Sequence, residues 1–213
     1  MSDRKRQKSD GTQVRTRILE AALKVFAEEG YDRVSMRKVA AQIGYSATTI
    51  YRYFRDKEDL LGAIAAGTYA DLSARFERAR ASTAGRPLAS LKALVREYVV
   101  FCVERDDMFR LYWDLASFET DGIAVYERLG GTRYRVFQSW FEAIGESLQS
   151  RAPEDSDRLR VFLYLLDAAN GYIHNRIRLA GIPRPPLAGD AGHYLDRIFR
   201  GLEPGTDGKE RAT

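Results

Sequence analysis

The stretch "QIGYSATTIYRYF", Gln42 to Phe54, decides the fold. Gly44 interrupts a helical pattern, and Ser46 two residues later is a natural N-cap for the segment that follows. Tyr45 before that cap and Ile50 at the N4 position have the spacing of a hydrophobic staple. The same device stands just upstream. Ser35 caps a short helix, Met36 to Ile43, with Val34 and Val39 as its staple pair. Two short helices parted only by "GYS" make a tight helix-turn-helix, because a glycine permits the sharp reversal.

The pattern extends on both sides. Thr12 to Glu29 places Ile18, Ala22, Val25 and Phe26 on one stripe, and Gly30 stops it. Asp56 caps a further helix that opens "KEDLL", with Glu58 and Asp59 in the first turn, where the helix dipole favours them. Within the third helix, read as Ala47 to Phe54, Ile50 and Phe54 share a face and pack on Val39, Ala40 and Ile43. Ala47, Thr48, Thr49, Tyr51 and Arg52 are left on the other side, with Tyr53 near the edge. Small residues there let a backbone approach base edges, and threonine methyls can meet thymine methyls in a major groove. Tyrosine hydroxyls and the helix N-terminus suit phosphate oxygens. Arg52 suits a guanine edge or a phosphate, and the spacing does not choose between them. An ordinary core accounts for Ile50 and Phe54 but not for Tyr51 and Arg52, which project away from that stripe.

Charge agrees with a polyanion partner. Residues 1–57 hold 13 basic and 7 acidic residues, whereas the remainder holds 21 and 23. The positive excess of this 213-residue chain therefore lies in its first quarter. A solvated basic tail with no partner is the competing reading of that excess. Arg15, Arg17, Arg37, Lys38 and Lys57 surround the candidate site. The basic opening has no apolar run behind it and does not read as a secretory signal. "YVVFCV" and "VFLYLL" are too short to span a bilayer. One cysteine, Cys102, leaves no internal disulfide and fits a reducing compartment. The expectation is a cytoplasmic protein with no membrane partner.

"TRILEAALKVFAEEGYDRVSMRKVAAQIGYSATTIYRYFRDKEDLL", residues 16–61, closely resembles the DNA-binding domain of the TetR family of bacterial transcriptional repressors. Ile18-Leu19, Ala21-Ala22, Phe26, Gly30, Ser35, "KVAAQIGYS", "TIYRYF" and "KEDLL" carry the resemblance. It implies that Arg37, Ala47, Thr48, Thr49, Tyr51, Arg52, Tyr53 and Lys57 line the DNA surface. On that footing Tyr51, Tyr53 and Lys57 mainly hold phosphates, and Ala47, Thr48, Thr49 and Arg52 face the groove. Arg37 contacts a base or a phosphate, and the tail around Arg4, Lys5, Arg6 and Lys8 adds minor-groove or phosphate contacts. Tyr45 departs from the smaller apolar residue usual after the turn glycine. That leaves the fold intact and alters how the turn meets DNA.

Beyond Leu60 the helical period continues, at about 58–82, 87–105, 107–118, 121–129, 132–150, 156–180 and 191–201, with Gly, Pro and Asp between. The expected fold is all-α: a basic disordered tail (1–11), a three-helix helix-turn-helix domain (12–57), a larger helical ligand-binding and dimerisation bundle (58–202) and a disordered tail (203–213). One helix-turn-helix makes too few contacts for tight specific binding, so a homodimer on a palindromic double-stranded operator is expected. The resemblance places the dimer bundle in helices 132–150 and 156–180. Their apolar stripes hold Tyr134, Phe137, Phe141, Ile144 and Leu148 on one, and Phe162, Leu165, Leu166 and Ala169 on the other. Ala168, Ala169 and Gly171 permit close helix approach.

The middle of the chain is rich in rings. Phe109, Trp113, Phe118 and Trp140, with the polar Asn170 and His174, form a candidate site for a small apolar or aromatic effector. An ordinary core is the competing reading of the rings. An effector that prefers a dimer with wrongly spaced reading heads would lower DNA affinity by that preference. A transcriptional activator or a ligand-independent repressor with the same head are the alternatives. Enzyme chemistry is missing from the pattern: there is no G-x-S-x-G, P-loop or H-E-x-x-H, and His174, His193 and Cys102 do not make a zinc spacing. No metal or cofactor is expected.

Overall fold

The protein is described by a computed structural model covering residues 2–116, 130–148, 155–179 and 181–202. The expected helix at 121–129, the tail at 203–213 and Phe118 lie outside the described residues. So do the side chains of Trp113, Tyr134, Phe137 and Leu148, and those of the first ten residues. All regular structure in the described residues is helical. The helices are α1 (Ser2–Glu29), α2 (Met36–Gln42), α3 (Ala47–Tyr51), α4 (Lys57–Ser82), α5 (Pro87–Glu104), α6 (Asp106–Ala116), α7 (Gly130–Leu148), α8 (Asp155–Arg178) and α9 (Leu187–Leu202), with a 3₁₀ turn at Tyr31–Arg33. No helix among the described residues is long and apolar enough to cross a membrane.

The chain divides into two compact units. The first holds residues 1–71 and 105–133. Its core gathers Ile18, Ala22 and Phe26 of α1 with Val39 and Ala40 of α2, Ile50, Phe54, and Leu60, Leu61 and Ile64 of α4. Met108 and Leu111 of α6 close it, an addition that sequence spacing did not indicate. Local signals set the boundaries. Ser35 accepts the Lys38 N–H at 3.3 Å, Ser46 accepts the Thr49 N–H at 3.2 Å, and Asp56 Oδ1 accepts the Asp59 N–H at 2.7 Å. Gly30 and Gly44 adopt φ of 79° and 71°, the left-handed region that ends α1 and turns α2 into α3. α1 begins at Ser2, where composition suggested a disordered tail. Arg, Lys and Gln in "DRKRQK" are good helix formers, and the helix runs on through Gly11.

The second unit holds residues 72–104 and 134–213. Phe76, Leu94, Val95, Val99, Trp140, Ile144, Leu165, Ala169, Ile173, Leu195 and Phe199 are buried in it. α5 is its hub, packed on both α8 and α9. α9 starts at Leu187, a turn ahead of the sequence expectation, because the Asp190 N–H already donates to the Pro186 carbonyl at 3.1 Å. Asp190 Oδ2 accepts from Tyr172 at 2.7 Å and from Arg176 at 2.8 Å, which ties α8 to α9. Burial, followed by the hydrogen bond to Asp190, pushes the Tyr172 phenol up to about 12.

Candidate nucleic-acid interface

α2, the turn and α3 form one braced piece. The Tyr45 N–H reaches back to the Ala40 carbonyl at 2.9 Å, closing the turn over the end of α2. Ile50 and Phe54 are 0% and 2% exposed, so burial of these two side chains, worth about 1.5–3 kcal/mol each, fixes the rotation of α3. The opposite side is then forced outward. Tyr51 is 55% exposed, a large ring left in solvent, and Thr48 and Arg52 beside it are exposed too. Arg37, at the start of α2, is also exposed. Among the described residues, none of Arg15, Arg17, Arg37 and Arg52 makes an ion pair. By contrast Lys24, Lys38 and Arg55 are matched to Glu28, Glu29 and Asp59.

The other expected contacts are less free. Thr49 is half-buried, and its hydroxyl lies 2.9 Å from Ser46 Oγ, so it belongs to the cap of α3. Ala47 is half-buried. Tyr53 is half-buried and packs against the core. Lys57 is committed within the unit: its ammonium donates to the Tyr31 carbonyl at 3.0 Å and sits 3.8 Å from the Tyr31 ring centroid. The Tyr31 hydroxyl in turn donates to Glu58 at 2.8 Å, which bolts the start of α4 to the 3₁₀ turn. The structure thus leaves Thr48, Tyr51, Arg52 and Arg37 as the available set.

Sequence reasoning placed Arg15 and Arg17 near the site but missed what holds them. The Arg15 guanidinium lies 5.0 Å from the Phe54 ring centroid, and that of Arg17 lies 5.4 Å from the Tyr45 ring centroid. These partners are distant in sequence, and no helical period links them.

The candidate effector residues fall into both compact units. Phe109 is half-buried on α6 of the first unit. In the second, Trp140 is 0% exposed and meets Tyr98 edge-on at 5.2 Å, Phe162 edge-on at 6.0 Å and Phe76 in a stack at 6.4 Å. The Tyr98 hydroxyl donates to Asn170 Oδ1 at 2.9 Å, so Tyr98 joins Trp140 to Asn170. His174, one turn further along α8, is half-buried. Tyr98 was not among the expected residues; its place four positions before Cys102 on a buried helix was the available signal.

Comparison with known proteins agrees with this geometry. Residues 18–64 match the family model described as "Bacterial regulatory proteins, tetR family". A helix-turn-helix (HTH)-type transcriptional regulator of Staphylococcus aureus (strain USA300) is 43% identical over 53 residues, covering 25% of this chain and 29% of that relative. The chain thus matches under a third of the length of such curated relatives. Among solved structures, the fatty acid degradation regulator FadR of Bacillus halodurans is similar with a TM-score of 0.69 at 17% identity, covering 91% of this chain and 96% of its own. FadR of Bacillus subtilis, solved in complex with stearoyl-CoA, gives 0.66 at 18% identity, covering 87% and 98%. A TetR/AcrR family regulator of Thermobifida fusca gives 0.59 at 25% identity, covering 91% and 98%. Likeness at such low identity speaks for a common fold, and the match over residues 18–64 speaks for the head. Residues 18–64 are thus a head of the kind described as "Bacterial regulatory proteins, tetR family", on a chain whose fold resembles those of solved regulators.

Proposed function

We propose that this chain is a sequence-specific DNA-binding transcriptional regulator: a homodimeric repressor that sits on a palindromic double-stranded operator and leaves it when a small apolar or aromatic effector binds. The observation that carries the reading is the division of α3. Ile50 and Phe54 lock it to the core, while Thr48, Tyr51 and Arg52 stand exposed, with no carboxylate among the described residues claiming the arginine. A short helix anchored on one side and bare on the other, with threonine, tyrosine and arginine uppermost, has the chemistry of major-groove reading. In this reading Thr48 and Arg52 face base edges and Tyr51 holds a phosphate. Arg37 adds a contact from α2. Ala47 permits close approach, Thr49 chiefly holds the cap, and Tyr53 and Lys57 act from the margin of the surface. Footprinting with the purified chain tests it. A protected palindrome is expected for the natural chain, and Tyr51→Ala with Arg52→Ala removes that protection. Unchanged protection by the double variant would refute α3 as the reader.

The dimer and the effector are parts of the same proposal. Leu159 and Leu163 on α8 are 49% and 43% exposed, four residues apart on one face, and Tyr164 beside them is 62% exposed. A second copy of the chain covers that apolar face, which supplies the two reading heads a palindrome requires. Leu165, Ala169 and Ile144 of the expected dimer stripes are instead buried in the chain's own second unit. For the effector, the group around Tyr98, Trp140, Asn170 and His174 is the candidate. The stearoyl-CoA held by the Bacillus subtilis FadR supports an apolar ligand in a fold of this kind. A thermal-shift screen of acyl and aromatic compounds, followed by operator release, is the test; compounds that stabilise the protein without releasing DNA would remove induction from the proposal.

A further inference from the structure

The residue after the turn glycine, Tyr45, has a task that the reading of α3 does not use. Its ring is half-buried and rests against the core of the first unit. Its backbone is fixed by the 2.9 Å bond to the Ala40 carbonyl, and the next residue, Ser46, is the N-cap of α3. The Arg17 guanidinium lies over the remaining face of the ring, 5.4 Å from its centroid, and donates from Nη1 to the Tyr45 hydroxyl at 3.2 Å. Arg17 is exposed, and among the described residues no carboxylate pairs with it. A half-buried ring in cation–π contact and a hydroxyl acceptor hold the guanidinium charge in one place beside the start of α3, instead of letting it sweep through solvent.

We propose that Arg17 is a phosphate contact of the DNA surface and that Tyr45 is its positioning residue. This rests on the DNA-binding reading above. The ring holds the guanidinium in a cation–π contact, and the hydroxyl takes one N–H. The remaining N–H donors lie in the guanidinium plane, the arrangement that meets phosphate oxygens in a paired fashion. Base reading is the poorer fit, because Arg17 belongs to α1 and not to the helix that enters the groove. A surface arginine that merely braces the turn would stabilise the fold and leave the charge dependence of DNA binding untouched. That difference is measurable.

The experiment is a salt titration of binding to a mixed-sequence 30-base-pair duplex, read by fluorescence anisotropy with the full chain. Neutralising one phosphate contributes a slope of about 0.9 in log affinity against log salt. Arg17→Ala is therefore expected to lower the slope by about 1 per protomer, and to weaken mixed-sequence and selected duplexes by the same factor. Lys24→Ala, which removes an α1 cation already matched to Glu28, leaves the slope alone. Arg17→Lys retains it. Tyr45→Leu keeps the slope but weakens binding several-fold, and this effect vanishes in the Arg17→Ala background, since the ring acts through the arginine. An unchanged slope in a folded Arg17→Ala variant overturns the contact. Further weakening by Tyr45→Leu when Arg17 is already gone overturns the positioning role. A natural chain that ignores duplex DNA in dilute salt overturns the regulator reading itself and this inference with it, whereas a natural chain that binds separates the two.

Discussion

The two units differ in what they leave uncovered. In the first, Tyr51 is the large exposed ring among the described residues, with a hydroxyl at its tip, a threonine three residues before it and a guanidinium next to it. In the second, α8 leaves Leu159, Leu163 and Tyr164 uncovered. In the first unit Arg15, Arg17, Arg37 and Arg52 have no ion-pair partner among the described residues, whereas Lys24, Lys38 and Arg55 of the same unit are matched to Glu28, Glu29 and Asp59. Unmatched cations beside hydroxyls suit a polyanion, which brings its own counter-charge. Bare leucines suit an apolar partner, which removes them from water. Two surfaces of opposite chemistry on one chain are what a regulator needs if one surface reads DNA and the other doubles the reader.

The sharpest way to break that contrast is to place charge on the apolar face. Leu159→Glu with Leu163→Glu puts two like charges on each copy where the second copy would sit. Sedimentation should then show a monomer, and specific operator affinity should fall by roughly two orders of magnitude or more, since one half-site forfeits the contacts of its twin. A variant that remains a dimer with full operator affinity would place the interface elsewhere. A second substitution separates core from effector wall. Trp140, 0% exposed among Phe76, Tyr98 and Phe162, is expected to cost about 3–5 kcal/mol on truncation to alanine, seen as a melting temperature lower by roughly 10 °C. A Trp140→Ala variant of unchanged stability would mean that the ring lines space instead of filling it.

These contrasts were legible in the sequence to different depths. The caps at Ser35, Ser46 and Asp56 and the turns at Gly30 and Gly44 act over three or four residues, so spacing alone revealed them and the rotation of α3 followed. Lys57 is the contrary case. Its position suggested a phosphate contact, but its ammonium is taken by Tyr31, 26 residues earlier, and no local pattern carries that information. The long helices failed for another reason. α8 has apolar residues on more than one side, so a stripe exists without stating which part faces the protomer. Leu165 and Ala169 went inward, and Leu159 and Leu163, absent from the expected stripe, went outward.

A smaller effect tests how rigidly the reading helix is held. Ser46 both accepts the Thr49 N–H and touches the Thr49 hydroxyl, in a helix of only five residues. Ser46→Ala is expected to lower stability by about 1 kcal/mol. It should also raise hydrogen exchange at the Thr49 amide well before the rest of the unit opens. Loss of operator affinity larger than the loss of stability would show that the cap serves recognition as well as folding. Equal losses would assign it to folding alone.

The smallest effect isolates the second unit. The only cysteine, Cys102, is buried there on α5, and burial pushes its thiol from 9.0 up to about 12. A raised folded-state value means that the native state favours the protonated thiol. This contribution to stability is complete below pH 9, the unfolded value, and is lost as pH rises through the folded value near 12. Alkylation requires the thiolate, so the native protein at pH 8 should resist iodoacetamide, while a urea-unfolded sample is labelled fully within the same hour. Because the head contains no cysteine, labelling reports opening of the second unit alone. Rapid modification at pH 8, before any change in far-UV circular dichroism, would show that α5 opens independently. The apolar face would then belong to a looser unit than its burial pattern implies. Protection that persists until the whole chain unfolds would show the second unit to be as firmly closed as the head.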